Sequence, residues 1–250
     1  MLKIRRLLKE VWVLFVMQFK TFRLMGPMAV VISGGLPLGL IIFLKFFFKQ
    51  ATPEIILFII SGNLVISLMS ICIIMLSQSL ANMKQIKSFE YYAVLPINKL
   101  SVILGIVLSF LVVSLPGFAL LLIIGSLIFN LWVLPHPMII VVALLTAFSL
   151  TGIGAIIGVY SRHFMQTNII SQIVGFGCIL VTPVFFKLEA LPLPLRYFAY
   201  LFPTTYSAEA MRTTLQGICN QKVLIDLLIL SLFTLFSFYL TAVKLKWREN

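Results

Sequence analysis

The sequence predicts an all-α membrane protein with six transmembrane helices, and three observations support this prediction. Hydrophobic residues make up 61% of the 250 residues and charged residues only 10%, whereas a soluble domain is about 45–50% apolar and about 25% charged. The mean hydropathy is +1.13. The apolar residues form continuous runs instead of the alternating pattern of membrane strands. This composition excludes a soluble enzyme, a nucleic-acid-binding domain and a disordered protein.

The first element is the N-terminal segment, residues 1–24, which has the pattern of a basic amphipathic helix. On a helix its apolar side chains share one face, which carries Ile4, Leu8, Val11, Phe15 and Phe19. The opposite face carries Lys3, Arg6, Lys9, Glu10 and Lys20. Such a helix lies in the inner membrane interface. The alternative is a positively charged segment that only fixes the topology.

Six apolar runs follow, each long enough to cross the bilayer as a helix. A hydrocarbon core of about 30 Å requires about 20 apolar residues. The predicted spans are residues 26–48, 54–77, 102–128, 138–159, 168–186 and 223–243. Two G-x-x-x-G pairs, Gly35–Gly39 and Gly154–Gly158, are predicted to let helices pack closely.

The distribution of positive charge predicts the orientation. The net charge is +12, and most of the 19 Lys and Arg residues fall in the N-terminal segment, the second and fourth loops and the C-terminus. Because cytoplasmic loops are enriched in Lys and Arg, both termini are expected in the cytoplasm. An even number of spans agrees with this. An outer re-entrant helical hairpin is predicted between the fifth and sixth spans.

The chemistry of the spans is sparse. They are almost free of charge, and the two carboxylates Glu54 and Asp226 are expected at span ends within reach of water. His136 and His163 are predicted on opposite sides of the membrane, so they cannot share a metal ion. The sequence contains no G-x-x-x-x-G-K-[ST] loop for ATP and no protease or hydrolase motif. We therefore expect energy to arrive from a cytoplasmic partner.

The second loop, residues 83–99, is more than a simple connector. It has helical character up to Val94, and Pro96 ends the helix. It mixes charge with aromatic and apolar side chains around one carboxylate, Glu90. This combination is typical of a docking surface. An interfacial helix with its aromatic side chains in the lipid headgroups is an equal alternative.

The fifth loop, residues 187–222, is the longest outer segment. Two short helices separated by Pro203 are predicted, with Thr204 or Thr205 capping the second one and Glu209 and Arg212 one turn apart. Each piece is too short to span the bilayer and too apolar to remain in water. This indicates a re-entrant hairpin whose broken backbone is buried by protein.

At these two loops the chain resembles the ABC-2-type exporter permeases. The run P-T-T-Y-x-x-E-A-x-R at 203–212 looks like the signature region of that family. The run F-E-Y-Y-A-V-L-P-I at 89–97 is similar to its first cytoplasmic loop, where an acidic residue precedes a Leu-Pro turn. Six spans, the amphipathic N-terminal helix and cytoplasmic termini also match.

The resemblance implies a single permease domain, residues 1–250, which pairs with a second permease copy or paralogue and with two separate ABC ATPase subunits. The partner ATPase would hold ATP and Mg, and this chain would bind no cofactor, metal or nucleic acid and would not itself be an enzyme. The residues implied in ATPase coupling are Phe89, Glu90, Tyr91, Leu95, Pro96, Arg162 and His163. The residues implied in the outer hairpin, which would shape the exit side, are Pro203, Thr204, Tyr206, Glu209 and Arg212.

The function expected from the sequence is therefore export of an amphiphilic substrate, such as a drug, a peptide or a lipid-linked molecule, across a prokaryotic plasma membrane. The alternative is a membrane scaffold or assembly protein that recruits a cytoplasmic partner without moving a substrate. Both share every topological feature above. ATPase activity stimulated by a substrate would discriminate between them.

Overall fold

The computed structural model describes residues 2–25, 27–47, 52–95, 97–129, 135–182, 184–185 and 188–244, and every regular element within these ranges is helical. The first six α-helices are α1 (Leu2–Met25), α2 (Pro27–Phe47), α3 (Pro53–Met69), α4 (Leu76–Gln85), α5 (Ser88–Val94) and α6 (Lys99–Ile128). The other five are α7 (Met138–Tyr160), α8 (Phe164–Val181), α9 (Leu193–Ala199), α10 (Pro203–Leu215) and α11 (Gln221–Lys244). A π-helical segment, Ser70–Met75, joins α3 to α4, and a short 3₁₀-helix covers Leu188–Ala190.

Five helical stretches are long and apolar enough to cross a membrane. They are Pro53–Gln85, Ser101–Ile128, Met138–Tyr160, Phe164–Val181 and Gln221–Thr241. The prediction of an all-helical, multi-pass membrane protein is thus confirmed for the described residues. The first predicted span, residues 26–48, coincides with α2, where the apolar stretch found among the described residues, Pro37–Phe47, is shorter than a full span. The first span therefore stays a prediction.

The continuous helix Pro53–Gln85 forms the centre of the bundle. In the most apolar stretch of this helix 83% is buried, whereas the buried share of the corresponding stretch is 22% in α8 and 28% in α11. Helices α8 and α11 lie at the periphery and expose rows of large apolar side chains, including Phe176, Leu180, Leu228 and Leu235. Exposed apolar faces of this kind suit contact with lipid.

Glycines on α7 let that helix approach the central helix closely. A Cβ atom added at Gly154 would overlap the carbonyl oxygen of Cys72 in the π-helical segment, and one added at Gly158 would lie 2.8 Å from the Cβ of Leu80. The predicted packing role of this pair is confirmed. In the other pair, Gly35–Gly39, a Cβ added at Gly39 would meet nothing within 4 Å, so Gly39 makes no close helix contact in the described residues.

The N-terminal helix packs along α6. A Cβ added at Gly105 would lie 2.7 Å from the Cβ of Leu14, so this glycine sets the close approach. Val11 and Leu14 are buried against α6, whereas Leu8 and Phe19, predicted on the same apolar face as Val11, are exposed. The predicted face is thus divided: Val11 at its edge packs on α6, and Leu8 and Phe19 remain exposed.

Candidate functional site

The described residues offer two regions rich in polar and aromatic side chains, at opposite ends of the central helix. One follows the C-terminus of α4 and contains α5 and the turn between α7 and α8. The other surrounds α10, near the start of α3. We call them the α5 end and the α10 end. They contain the two loops singled out by the sequence.

At the α5 end, the chain turns immediately after α4. Lys87 has a φ of 56°, the left-handed conformation, and α5 starts at the next residue. Leu95 ends α5 in an extended conformation, as expected for a residue that precedes proline. The predicted helix end at Val94 is confirmed. Pro96 itself lies outside the described residues.

The side chains of α5 divide into a buried and an exposed set. Phe89 is buried in an apolar cluster with residues of α1, α4 and α6. Glu90 is exposed, as are Tyr91 at 66% and Val94 at 86%, and Leu95 continues the same outward surface. Tyr92 is half-buried; burial raises the pKa of its phenol, and the neighbouring Tyr91 adds to this. Phe89 thus fixes the helix while the other side chains remain available to a partner.

Lys84, near the C-terminus of α4, connects that helix to the α7–α8 turn. Its ammonium Nζ donates hydrogen bonds to the carbonyl oxygens of Val159 and, at 3.0 Å, Ser161. Both carbonyls lie at the C-terminus of α7, where a positive charge is favourable. Arg162 and His163, the two residues that follow, are exposed. The structure therefore brings the two predicted coupling segments together.

A second polar bond joins α4 to α8 beneath this surface. The amide Nε2 of Gln78 donates to Oδ1 of Asn168 at 2.8 Å. Beside this bond lies a cavity of about 560 Å³, lined by Gln18, Met75, Gln78, Ser79, Asn82, Met83, Gln85, Ile86, Ser88, Phe110 and Phe164. The lining combines uncharged polar groups with Met and Phe side chains, so it suits amphiphilic contacts.

Glu10 links α1 to the start of α6. Its Oε2 accepts hydrogen bonds from the backbone N–H of Asn98 at 3.0 Å and from the hydroxyl of Ser101 at 2.8 Å. A carboxylate there stabilises the helix N-terminus. A groove of about 370 Å³ lies between α1 and α5, lined by Lys9, Glu10, Val13, Leu14, Met17, Tyr91, Tyr92, Leu95 and Ile97. Sequence analysis missed the capping roles of Glu10 and Lys84, because their partners are distant in the sequence.

At the α10 end, the two predicted short helices are present as α9 and α10. Pro203 is the first residue of α10, where its missing N–H costs no hydrogen bond. The predicted threonine cap is wrong, because the N-cap residue is Phe202 and no side chain caps the helix. The hydroxyl of Thr205 instead donates to the carbonyl of Ala199 at 2.5 Å. Thr204 is fully buried.

Aromatic contacts join α9 to α10 and α11. The Tyr206 hydroxyl donates to the carbonyl of Tyr200 at 3.0 Å. The Tyr206 ring centroid lies 6.2 Å from that of Tyr200 and 6.4 Å from that of Phe233. Burial is the main cause of a raised pKa at the Tyr206 phenol, with nearby negative groups adding to it. Tyr206 therefore connects both arms of the hairpin to the last helix.

Arg212 connects α10 to α3. Its guanidinium carbon lies 3.5 Å from the centroid of the Phe58 ring, and Nη2 donates to the carbonyl of Val184 at 3.4 Å. Burial lowers the pKa of Arg212 to about 10, although the carboxylates of Glu209 and Glu54 oppose the shift. Glu209 lies one turn from Arg212 on α10, as predicted. It also forms an ion pair with Lys222, at 3.0 Å, which connects α10 to α11.

The segment before the hairpin reaches well into the bundle. A Cβ added at Gly62 would lie 2.7 Å from the carbonyl oxygen of Val184 and 2.8 Å from the Phe185 ring. Gly62 follows Pro53, the first residue of α3, by nine positions, which corresponds to about 14 Å along the helix. Residues 184–185 therefore lie beside the interior part of α3.

Two further ionisable groups lie at this end. Asp226 is only 4% exposed, so the expectation that water reaches it freely is wrong. The backbone N–H of His136 donates to the carbonyl of Thr214 at 2.9 Å, and its Nδ1 accepts from the N–H of Met138 at 3.2 Å. Within the described part of the chain, no three His, Cys, Asp or Glu residues lie close enough together to hold a metal ion.

The sequence model of the family described as ABC-2 type transporter matches residues 9–215. The match extends from within α1 to the end of α10, so it includes both ends of the bundle and covers well over half of the chain. No curated protein matches the chain.

Proposed function

Because the chain belongs to the ABC-2 type transporter family, we propose that it is the permease subunit of an ATP-driven exporter of an amphiphilic substrate. Membership of the family makes it a multi-pass transport subunit that is not itself catalytic. What we propose beyond family membership is the direction of transport, the class of substrate and the partner proteins.

The observation that carries the proposal is the surface of the α5 end. It presents an exposed carboxylate, Glu90, beside the exposed Tyr91 and Val94 on a helix fixed by Phe89. Aromatic side chains around a charge are typical of protein interfaces. We propose that this surface, with Leu95, Pro96, Arg162 and His163, contacts the ATPase.

The energy source is proposed to be a pair of separate ABC ATPase subunits. The sequence contains no G-x-x-x-x-G-K-[ST] loop, so ATP and Mg would be held by those subunits and not by this chain. When they close on ATP, α5 would convey the motion through α4 into the central helix. A second permease copy or paralogue would complete the transport path.

The proposed topology has six spans, the first at residues 26–48, with both termini in the cytoplasm of a prokaryotic cell and the chain in the plasma membrane. The α1 helix supports an interfacial location, because it packs on α6 with one side and exposes large apolar side chains on another. These are Leu8, Trp12, Val13, Met17 and Phe19. An exposed apolar face beside basic residues suits the headgroup region.

The α10 end is proposed to be the exit side, with a re-entrant hairpin formed by residues 187–222. Its support is the burial of α10, which buries Pro203, Thr204, Ala208 and Met211, and the depth at which Val184 contacts α3. Broken helices at membrane depth require such cover by protein. Tyr206, Glu209 and Arg212 would then shape the exit.

The test combines partner capture with a coupling measurement. The tagged chain is purified in mild detergent, co-eluting proteins are identified by mass spectrometry, and the complex is reconstituted into vesicles. Glu90→Ala should leave folding intact and reduce transport per ATP hydrolysed about tenfold or more. Glu189→Ala, which removes an exposed carboxylate near the α10 end, is the matched control and should behave as wild type.

Three outcomes would count against the proposal. Unchanged coupling in Glu90→Ala would remove the role of that residue. A bound ATPase that no amphiphile stimulates would favour the non-transporting scaffold. The absence of any ATPase, even after cross-linking from α5, would remove the proposed energy source.

A further inference from the structure

We propose that Lys84 is a positioning residue that joins α5 and the α7–α8 turn into one rigid surface, so that α4 and α7 move together when a partner pushes on either. This inference rests on the proposed function for its role in transport. Its structural content can be tested on the permease alone.

The hydrogen-bond geometry indicates that Lys84 holds the C-terminus of α7 and does not contact it by chance. We call this pair of hydrogen bonds the clamp. One ammonium group donates to two carbonyls, those of Val159 and Ser161, on either side of the C-terminal residue of α7. Hydrogen bonds from a charged donor are stronger than those between neutral groups. The same charge also opposes the negative end of the α7 dipole. Lys84 lies three residues before Lys87, where the chain turns into α5.

Ser161 transmits this restraint to the α7–α8 turn. Its own hydroxyl donates to the carbonyl of Ile157 at 2.7 Å, and its side chain is buried. The next residues, Arg162 and His163, are exposed and belong to the proposed ATPase contact. Holding the Ser161 carbonyl therefore fixes the position from which both side chains project.

The pairing of α4 with α7 continues into the bundle. Gly158 lies against Leu80 and the carbonyl of Ser77, and Gly154 lies against Cys72. The two helices are thus in backbone contact from the loops to the π-helical segment. Such close packing does not deform gradually, so a displacement of one helix displaces the other.

The first test measures the distance between α5 and the start of α8 by pulsed electron paramagnetic resonance. Spin labels are placed at Val94→Cys on α5 and Met165→Cys on α8, both highly exposed positions. The background is Cys219→Ser, since Cys72 and Cys178 are buried. Labelled chains are diluted with unlabelled ones to suppress distances between copies.

The expected result is a narrow distance distribution in the parent and one about twofold broader in Lys84→Met, because the clamp is lost. Lys84→Arg should remain narrow, since it keeps a charged donor. Lys87→Met is the matched control, because it removes a neighbouring exposed positive charge and should also remain narrow. If Lys84→Met unfolds, Lys84→Gln replaces it. A distribution as narrow as in the parent would overturn the proposal.

The second test uses the reconstituted complex. Lys84→Met should retain ATPase binding and ATP hydrolysis but lose about tenfold in substrate moved per ATP, with Lys84→Arg restoring the ratio. A general structural defect would lower binding and hydrolysis as well, and an unchanged ratio would contradict the role in coupling. Failure of any ATPase to bind the parent would count against the proposed function, while the distance measurement would still decide on the clamp.

Discussion

The two ends of the molecule use their charges in opposite ways. At the α5 end, Lys84 and Glu10 bind to the ends of neighbouring helices, and the surface they support is left exposed. At the α10 end, Arg212 lies half-buried on the Phe58 ring and Glu209 pairs with Lys222. The charges at one end therefore support an exposed surface, whereas those at the other end are engaged in contacts within the bundle. Substitutions of the same residue type at the two ends should separate stability from coupling.

The largest difference is expected between two arginines. Arg212→Ala should lower the free energy of unfolding by about 2–3 kcal/mol, because it removes the cation–π contact and leaves a gap between α10 and α3. Arg162→Ala, at an exposed position, should change it by no more than about 0.5 kcal/mol. Thermal unfolding in detergent, followed by tryptophan fluorescence, compares the two variants. Equal losses of stability in the two variants would contradict the proposed difference between the two ends.

A smaller effect is expected at Glu10. Glu10→Ala should lower stability by about 1 kcal/mol, because the N-terminus of α6 loses its acceptor at Asn98 and Ser101. Glu10→Gln keeps an acceptor oxygen and should lose less. Hydrogen exchange of the first turn of α6 is the measurement. Protection identical to wild type in both variants would show that the cap does not hold this turn.

The smallest effect is expected at the ion pair between Glu209 and Lys222. The Lys222 side chain is 62% exposed, and exposed pairs contribute about 0–1 kcal/mol. Glu209→Gln should therefore lower stability by less than about 1 kcal/mol, and the difference should diminish as salt rises. The comparison is Glu90→Gln, which should not alter stability at any salt concentration. A large loss of stability in Glu209→Gln that does not change with salt would indicate a stronger contribution from this ion pair than its exposure suggests.

The sequence was most informative where a local pattern determines the structure. Continuous apolar runs predicted the five helices of the described residues that are long and apolar enough to span a membrane, and Pro96 and Pro203 marked the end of α5 and the start of α10. The role of Lys84 could not be read in this way. Its acceptors lie 75 and 77 residues away, and no local periodicity reports on such a pairing.

The same limit applies to α1 and to the start of α10. Helical spacing predicted an apolar face on α1, but it could not show that the contact with Gly105 of α6 buries Val11 and Leu14 and leaves Leu8 exposed. At the start of α10, Thr204 and Thr205 have the residue type of a cap. Burial against α9 instead directs the Thr205 hydroxyl to the Ala199 carbonyl. In both cases tertiary packing overrides a local preference.

The π-helical segment Ser70–Met75 determines which length changes the central span can accept. Successive residues of an α-helix are rotated by about 100° around its axis, and a π-helical turn typically holds one extra residue. Deleting one residue here would therefore restore a regular α-helix and leave Lys84 near α7, although one side chain of the core would be lost. Deleting one residue between Leu76 and Met83 would instead turn Lys84 by that angle, away from α7. The alignment of Lys84 with α7 is thus a matter of residue count, and the π-helical segment is where the central span best accepts a change of one residue.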